Sequence, residues 1–192
     1  MWPAFLPAVV TGLIQLAPAA LRSTLAYRRT EVLEGELWRL FTAHLVHGGW
    51  GHWAMNALAW GVLWLLFAER LARPCLGGVL AVSALCVGLG LLWLVPQVSG
   101  YVGLSGVLHG VFAAAALWTW SDRPWLGAGL LAGLAGKLGW EQLAGASAAS
   151  EALAGIPVIV DAHGFGALGG ALAVGLCAAG GWWRRRLTAP SG

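Results

Sequence analysis

The chain has 192 residues, 59% of them hydrophobic and only 10% charged, with 29 Gly, 13 Trp and a formal net charge of +3. Soluble domains carry roughly a quarter charged residues, so this apolar surplus exceeds what one water-soluble core can hide and calls for a lipid solvent. The basic residues lie between apolar runs and read as topology signals, not as a phosphate-binding surface, which argues against a nucleic-acid partner.

A membrane-spanning helix needs roughly 20 mostly apolar residues, and six stretches within a single domain, 1–192, approach that measure. The first is about 2–21, with Gln15 its only strongly polar member. No basic region precedes it and Pro3, Pro7 and Pro18 punctuate it, so it reads as a retained helix and not a cleavable signal peptide. A first loop, about 22–49, is too long for a simple connection and ends in the aromatic stretch Leu37-Trp38-Arg39-Leu40-Phe41. It is expected to fold on or into the outer membrane surface. The further predicted spans are about 50–67, 76–95, 104–120, 125–143 and 158–180. The expected fold class is therefore all-α, a polytopic bundle of six transmembrane helices.

Arg70 and Arg73 follow the second span, Arg123 the fourth, and Arg184, Arg185 and Arg186 the sixth. The connections after the third and fifth spans contain no Lys or Arg. The positive-inside rule then places both termini in the cytoplasm; the first loop, with Arg22, Arg28, Arg29 and Arg39, is the exception, outvoted by three connections. Cys75, Cys86 and Cys177 are odd in number and lack a Cys-x-x-Cys spacing, so neither a disulfide framework nor a cysteine zinc site is expected. Cys86 and Cys177 lie in apolar runs and read as small hydrophobes.

Five histidines stand in a chain nearly devoid of other polar groups: His44, His47, His52, His109 and His163. Ionisable residues within a membrane are costly and usually functional. The predicted topology brings His52, Ser105 and His163 to the outer ends of the second, fourth and sixth spans, so three distant segments place reactive groups at one depth. Ser105 lies between Gly103 and Gly106 at the start of a helix, where free backbone N–H groups can bind an oxyanion. Gly166 and Gly170 follow His163 at a small-xxx-small spacing that permits close helix packing. A serine hydroxyl is a poor nucleophile until a base takes its proton, and neutral histidine suits that role. His52 and Asn56, four residues apart, share a helix face and can donate hydrogen bonds to developing negative charge, or serve as interhelical polar glue. His44-x-x-His47 with His52 is a rival metal set, but no His-Glu-x-x-His pattern accompanies it, and no metal or cofactor is expected. Lys137 and Glu141, also four apart, read as a structural ion pair in the fifth span.

Trp38-Arg39, Thr42, His47, His52 and Asn56 together resemble the first-loop and second-helix signature of rhomboid intramembrane serine proteases. Gly103-Leu104-Ser105-Gly106 resembles their nucleophile motif, and Ala162-His163 with Gly166 and Gly170 their sixth-helix motif. The matches are in order and span about 36–176. The resemblance implies a rhomboid-like six-helix bundle with Ser105 as nucleophile and His163 as base, a dyad without a third acid. Asp161, two residues from His163, is not assigned to it. The resemblance also implies an oxyanion hole from His52, Asn56 and the Ser105 N–H, with Trp38 and Arg39 organising the first loop. The fifth helix of rhomboids flanks the substrate entrance. Many rhomboids have Tyr four residues after the serine; here it is His109, which, with the compact length, resembles the rhombosortase branch. That branch processes exported bacterial proteins bearing a C-terminal anchor: a Gly-Gly element, a transmembrane helix and a basic tail. The implied setting is the bacterial inner membrane with the site toward the periplasm, and the implied partners are such anchored substrates and the bilayer. A general rhomboid with another substrate and an inactive membrane scaffold are the alternatives; the sequence carries no signal of oligomeric state.

Overall fold

A computed structural model describes residues 5–187, with side chains up to Gly180. Residues 2–4 of the expected first span, and the side chains of Arg184, Arg185 and Arg186, lie outside the described residues. The chain runs α1 (Leu6–Leu16), α2 (Ala19–Leu25), β1 (Tyr27–Arg28), α3 (Arg29–Leu33), α4 (Arg39–Thr42), a 3-10 turn (Ala43–Leu45) and α5 (Trp50–Leu71). It continues through α6 (Leu76–Leu94), β2 (Gly100–Tyr101), α7 (Ser105–Asp122), α8 (Pro124–Ala144), α9 (Ala148–Ala154) and α10 (Asp161–Leu187).

The predicted third, fourth and fifth spans coincide closely with α6, α7 and α8. The second extends beyond its predicted end: Phe67 leaves helical geometry (φ −128°, ψ 21°), and the helix resumes to Leu71. The first does not run unbroken to residue 21. Proline disfavours helical geometry in the residue before it, and Ala17 ahead of Pro18 is extended (φ −67°, ψ 155°), so α1 stops at Leu16 and α2 starts afresh. By length and composition, only Leu76–Leu94 and Asp161–Gly180 among the described residues are apolar enough to cross a membrane. The other long helices carry the polar groups: His52, Asn56, Glu69 and Arg70 on α5, His109 and Asp122 on α7, Lys137 and Glu141 on α8. All-α architecture is thus established, and a count of six spans is not.

Helix α7 forms the centre, with Val107, Val111, Ala114 and Ala115 buried among Trp60, Leu63, Val79 and Ala173. Its partner is α10. A Cβ on Gly166 would collide with the Gly106 carbonyl, and one on Gly170 with the Gly110 carbonyl, so the two backbones touch. This is the close packing that the Gly166 and Gly170 spacing predicted. Around the outside, Leu58, Leu65, Trp93, Trp125, Trp140, Leu143 and Leu176 are exposed. Outward-facing apolar side chains on several helices suit a lipid surrounding.

The cysteine expectation is corrected: Cys75, at the start of α6, forms a disulfide with Cys177 of α10, and Cys86 alone is free. The pair lies 102 residues apart in sequence, and no local spacing announces it. At the same end, Asp122 meets Arg70 at 2.9 Å and Arg73 at 3.8 Å.

The first loop is tied down from within. Arg39 is buried, and its guanidinium donates to the Ser23 and Ala26 carbonyls at 2.8 and 2.6 Å and to Glu36 at 2.6 Å. The Trp38 indole N–H donates to the Thr24 carbonyl at 3.4 Å, and the Thr42 hydroxyl to that of Leu25 at 2.7 Å. The strand pair β1–β2, with Tyr27 opposite Tyr101, fastens this loop to the segment that precedes Ser105.

Candidate active site

Ser105 opens α7, and the turn that delivers it depends on Gly103, whose φ of 125° other residues rarely adopt. A Cβ there would also lie 2.6 Å from the His52 ring, so glycine is required on both counts. The Gly103 N–H donates to the Ala43 carbonyl at 3.1 Å, and its own carbonyl accepts from the Tyr101 hydroxyl at 2.9 Å. Burial pushes the Tyr101 phenol above its ordinary pKa, so it stays a neutral donor. Gly106 makes room on the other side, because a Cβ would lie 2.8 Å from the Ala162 carbonyl.

His163 sits in the first turn of α10, buried at 5% exposure. Its Nε2 lies 3.1 Å from the Ser105 Oγ, and its Nδ1 lies 2.9 Å from Glu141 Oε2. A carboxylate only accepts, so Nδ1 carries the proton and Nε2 presents its lone pair to the serine hydroxyl. Lys137 Nζ holds the other carboxylate oxygen at 2.7 Å. His163 thus has an acid partner, where the resemblance implied a dyad without one. That partner is Glu141, on α8, and not Asp161, which opens α10.

His109 takes a different place. Its ring stacks on that of His163, with centroids 4.1 Å apart and planes inclined by 17°. Its Nδ1 lies 2.8 Å from the Ser105 carbonyl, so its N–H is committed to the helix backbone and not to the serine hydroxyl.

His52 lines the same cleft of about 860 Å³ as Ser105, between the first loop, the β2 segment and residues 156–159. Its Nδ1 accepts from the Gly48 N–H at 3.3 Å, which leaves the proton on Nε2, the nitrogen on the Gly103 side. Asn56, buried one turn deeper, donates to the His52 carbonyl at 3.1 Å. His44 does not join His47 and His52 in a ligand set. Its ring nitrogens face the Gly103 and Ala84 carbonyls at 3.3 and 3.1 Å. His47 packs edge-on against His52 at 5.0 Å, and burial, then the nearby His52, hold its imidazole down at about 3.

Among the described residues, His109, Glu141 and His163 bring potential ligand atoms within 4.8 Å of one another. His163 Nε2 is engaged by Ser105, its Nδ1 by Glu141 Oε2, and Glu141 Oε1 by Lys137. The arrangement is suited to proton transfer: a hydroxyl against an imidazole, an imidazole against a carboxylate, and a donor nitrogen across the cleft.

A helical membrane protein with a hydroxyl–imidazole pair set among glycines is the class these features define. The Rhomboid domain matches residues 34–180, most of the chain, and the protein belongs to the rhomboid family. That family is membrane-integral and comprises intramembrane serine proteases acting on membrane-protein substrates. No curated protein sequence matches the chain significantly.

Proposed function

We propose that this chain is an active intramembrane serine protease in which Ser105 is the nucleophile and His163 the general base. The observation that carries this reading is the 3.1 Å contact between Ser105 Oγ and His163 Nε2. As the Ser105 oxygen bonds to the scissile carbonyl carbon, its proton passes to His163 Nε2 and the carbonyl electrons move to oxygen. The Ser105 N–H, His52 and Asn56 serve the resulting oxyanion; a donor of this kind is worth on the order of 10²–10³ in rate. His163 then gives its proton to the leaving amine as the C–N bond breaks. Water releases the acyl group by the same path in reverse. Trp38 and Arg39 hold the first loop against the site.

The protein works in six spans with both termini cytoplasmic and the site near the outer face of a bacterial inner membrane. The Arg70, Arg73 and Asp122 cluster at the far end of the bundle supports that orientation. His109 against the His163 ring supports the rhombosortase branch. The substrate is then an exported protein with a Gly-Gly element ahead of a C-terminal helix. Paired glycines leave a helix at little cost, which suits a protease that needs an extended strand.

The test is a reporter carrying such an anchor, reconstituted with the purified protein. Wild type cuts it and takes up a fluorophosphonate; Ser105→Ala and His163→Ala do neither, while His109→Ala keeps part of the activity. Fluorophosphonate uptake undiminished in Ser105→Ala would end the proposal. Equal cleavage after the glycines are replaced by leucines would move the protein to the general rhomboid group.

A further inference from the structure

We propose that Glu141 is a positioning residue for proteolysis, turning the pair into a Ser105–His163–Glu141 relay with Lys137 as its anchor. The inference rests on the proposed roles of Ser105 and His163 and extends them to a helix outside the recognised motifs. Three distances carry it: 3.1 Å from Ser105 Oγ to His163 Nε2, 2.9 Å from His163 Nδ1 to Glu141 Oε2, and 2.7 Å from Glu141 Oε1 to Lys137 Nζ. The four groups form one unbroken line from α7 through α10 to α8.

Each contact has a chemical consequence. The carboxylate accepts the Nδ1 proton, so the tautomer with a lone pair on Nε2 is selected before substrate arrives. It also selects between the two ring orientations related by a 180° turn about Cβ–Cγ, both of which stacking on His109 would allow. When the Ser105 proton reaches Nε2, the imidazolium faces a negative charge across the bond already made. No proton moves to Glu141: the Nδ1 proton stays on nitrogen throughout, and only the Ser105 proton is relayed to the leaving amine. Lys137 occupies the second oxygen and keeps the carboxylate from turning away.

No other described carboxylate is bonded to His163. The charged or titratable groups facing it are Ser105 and His109 from α7, Glu141 from α8 with Lys137 behind it, and His52 from α5. Glu141 is therefore the one anion placed to balance charge on the ring. Its side chain is only 14% exposed, whereas that of Lys137 is 45% exposed. A surface ion pair with no further task has no reason to bury its acid against a histidine.

The experiment measures kcat and KM for the anchored reporter in wild type, Glu141→Gln and Glu141→Asp, alongside the thermal midpoint in micelles. The low-field proton resonance of a histidine Nδ1–H held by carboxylate is followed in the same samples. Glu141→Gln is expected to lower kcat by about 10²-fold or more, as loss of the acid does in other serine proteases. KM stays within about threefold, because binding precedes the charge that Glu141 balances. The resonance is present in wild type and absent from Glu141→Gln and His163→Ala. Glu141→Asp keeps the charge but retracts it by one methylene, and falls between the two; it carries the test alone if the glutamine variant does not fold. A kcat within threefold of wild type in both variants, or a loss explained by a lowered midpoint with the resonance retained, would overturn the relay. Either result leaves Ser105 labelling intact in wild type. Failure of the Ser105–His163 assignment is separate, showing as labelling that survives Ser105→Ala.

Discussion

The seam between α7 and α10 and the outer flank of α8 are both rich in glycine, yet they use it in opposite ways. At the seam, Gly106, Gly110, Gly166 and Gly170 each lie where a single methyl group would strike backbone. On α8, Gly129, Gly133, Gly136 and Gly139 have nothing within 4 Å of an added Cβ. The seam is rigid because two backbones touch, and it sets the Ser105–His163 distance. Helix α8 packs along α7, touches α10 chiefly through the small Leu134–Ala113–Ala167 cluster, and leaves Trp125, Trp140 and Leu143 exposed. One side of the site is fixed by shape, and the other is held by a few polar contacts.

Substitutions can break this contrast, and the largest effect is expected at the seam. Gly166→Leu drives its side chain into the Gly106 carbonyl. Misplacement of about 1 Å costs on the order of 10² in rate, so reporter cleavage falls at least that far, and the thermal midpoint drops with it. Next comes the Cys75–Cys177 bond, which ties the seam helix α10 to α6. Bridges closing long loops typically contribute about 2–4 kcal/mol, so in the purified, oxidised protein Cys177→Ser lowers the midpoint clearly while leaving kcat close to wild type, and a reductant abolishes the difference. The smallest effect is Gly133→Ala. An open helical site gains about 0.8–1 kcal/mol from this change, so the midpoint rises slightly. A Gly133→Ala variant that destabilises as much as a seam variant would erase the distinction between the two regions.

Much of this was legible from the chain alone. Apolar runs marked α6, α7 and α8, and the spacing of Gly166 and Gly170 marked the seam, because both signals are local. The break at Pro18 has a local cause as well, but the apolar run continues on both sides of it and masks it. Short α9 (Ala148–Ala154), inside an Ala- and Gly-rich connection, has no periodicity long enough to register. Glu141 escaped for a different reason. Its i,i+4 partner Lys137 made a self-sufficient pair, and nothing in the sequence says which neighbouring helix that face meets. Depth was the available signal: Glu141 nears the end of the fifth span just as His163 begins the sixth. The disulfide was invisible for the same tertiary reason, since its cysteines are 102 residues apart.

The carboxylate that meets His163 rides on a helix with far less backbone contact to α10 than α7 or α6 has. A lateral shift of α8 by about an ångström or two is enough to lengthen the 2.9 Å bond beyond hydrogen-bonding range. Lys137 would travel with it, so the ion pair would survive while the imidazole lost its counter-charge. Readiness for chemistry is thereby tied to the seating of one outer helix: a doorway left ajar also disarms the room behind it.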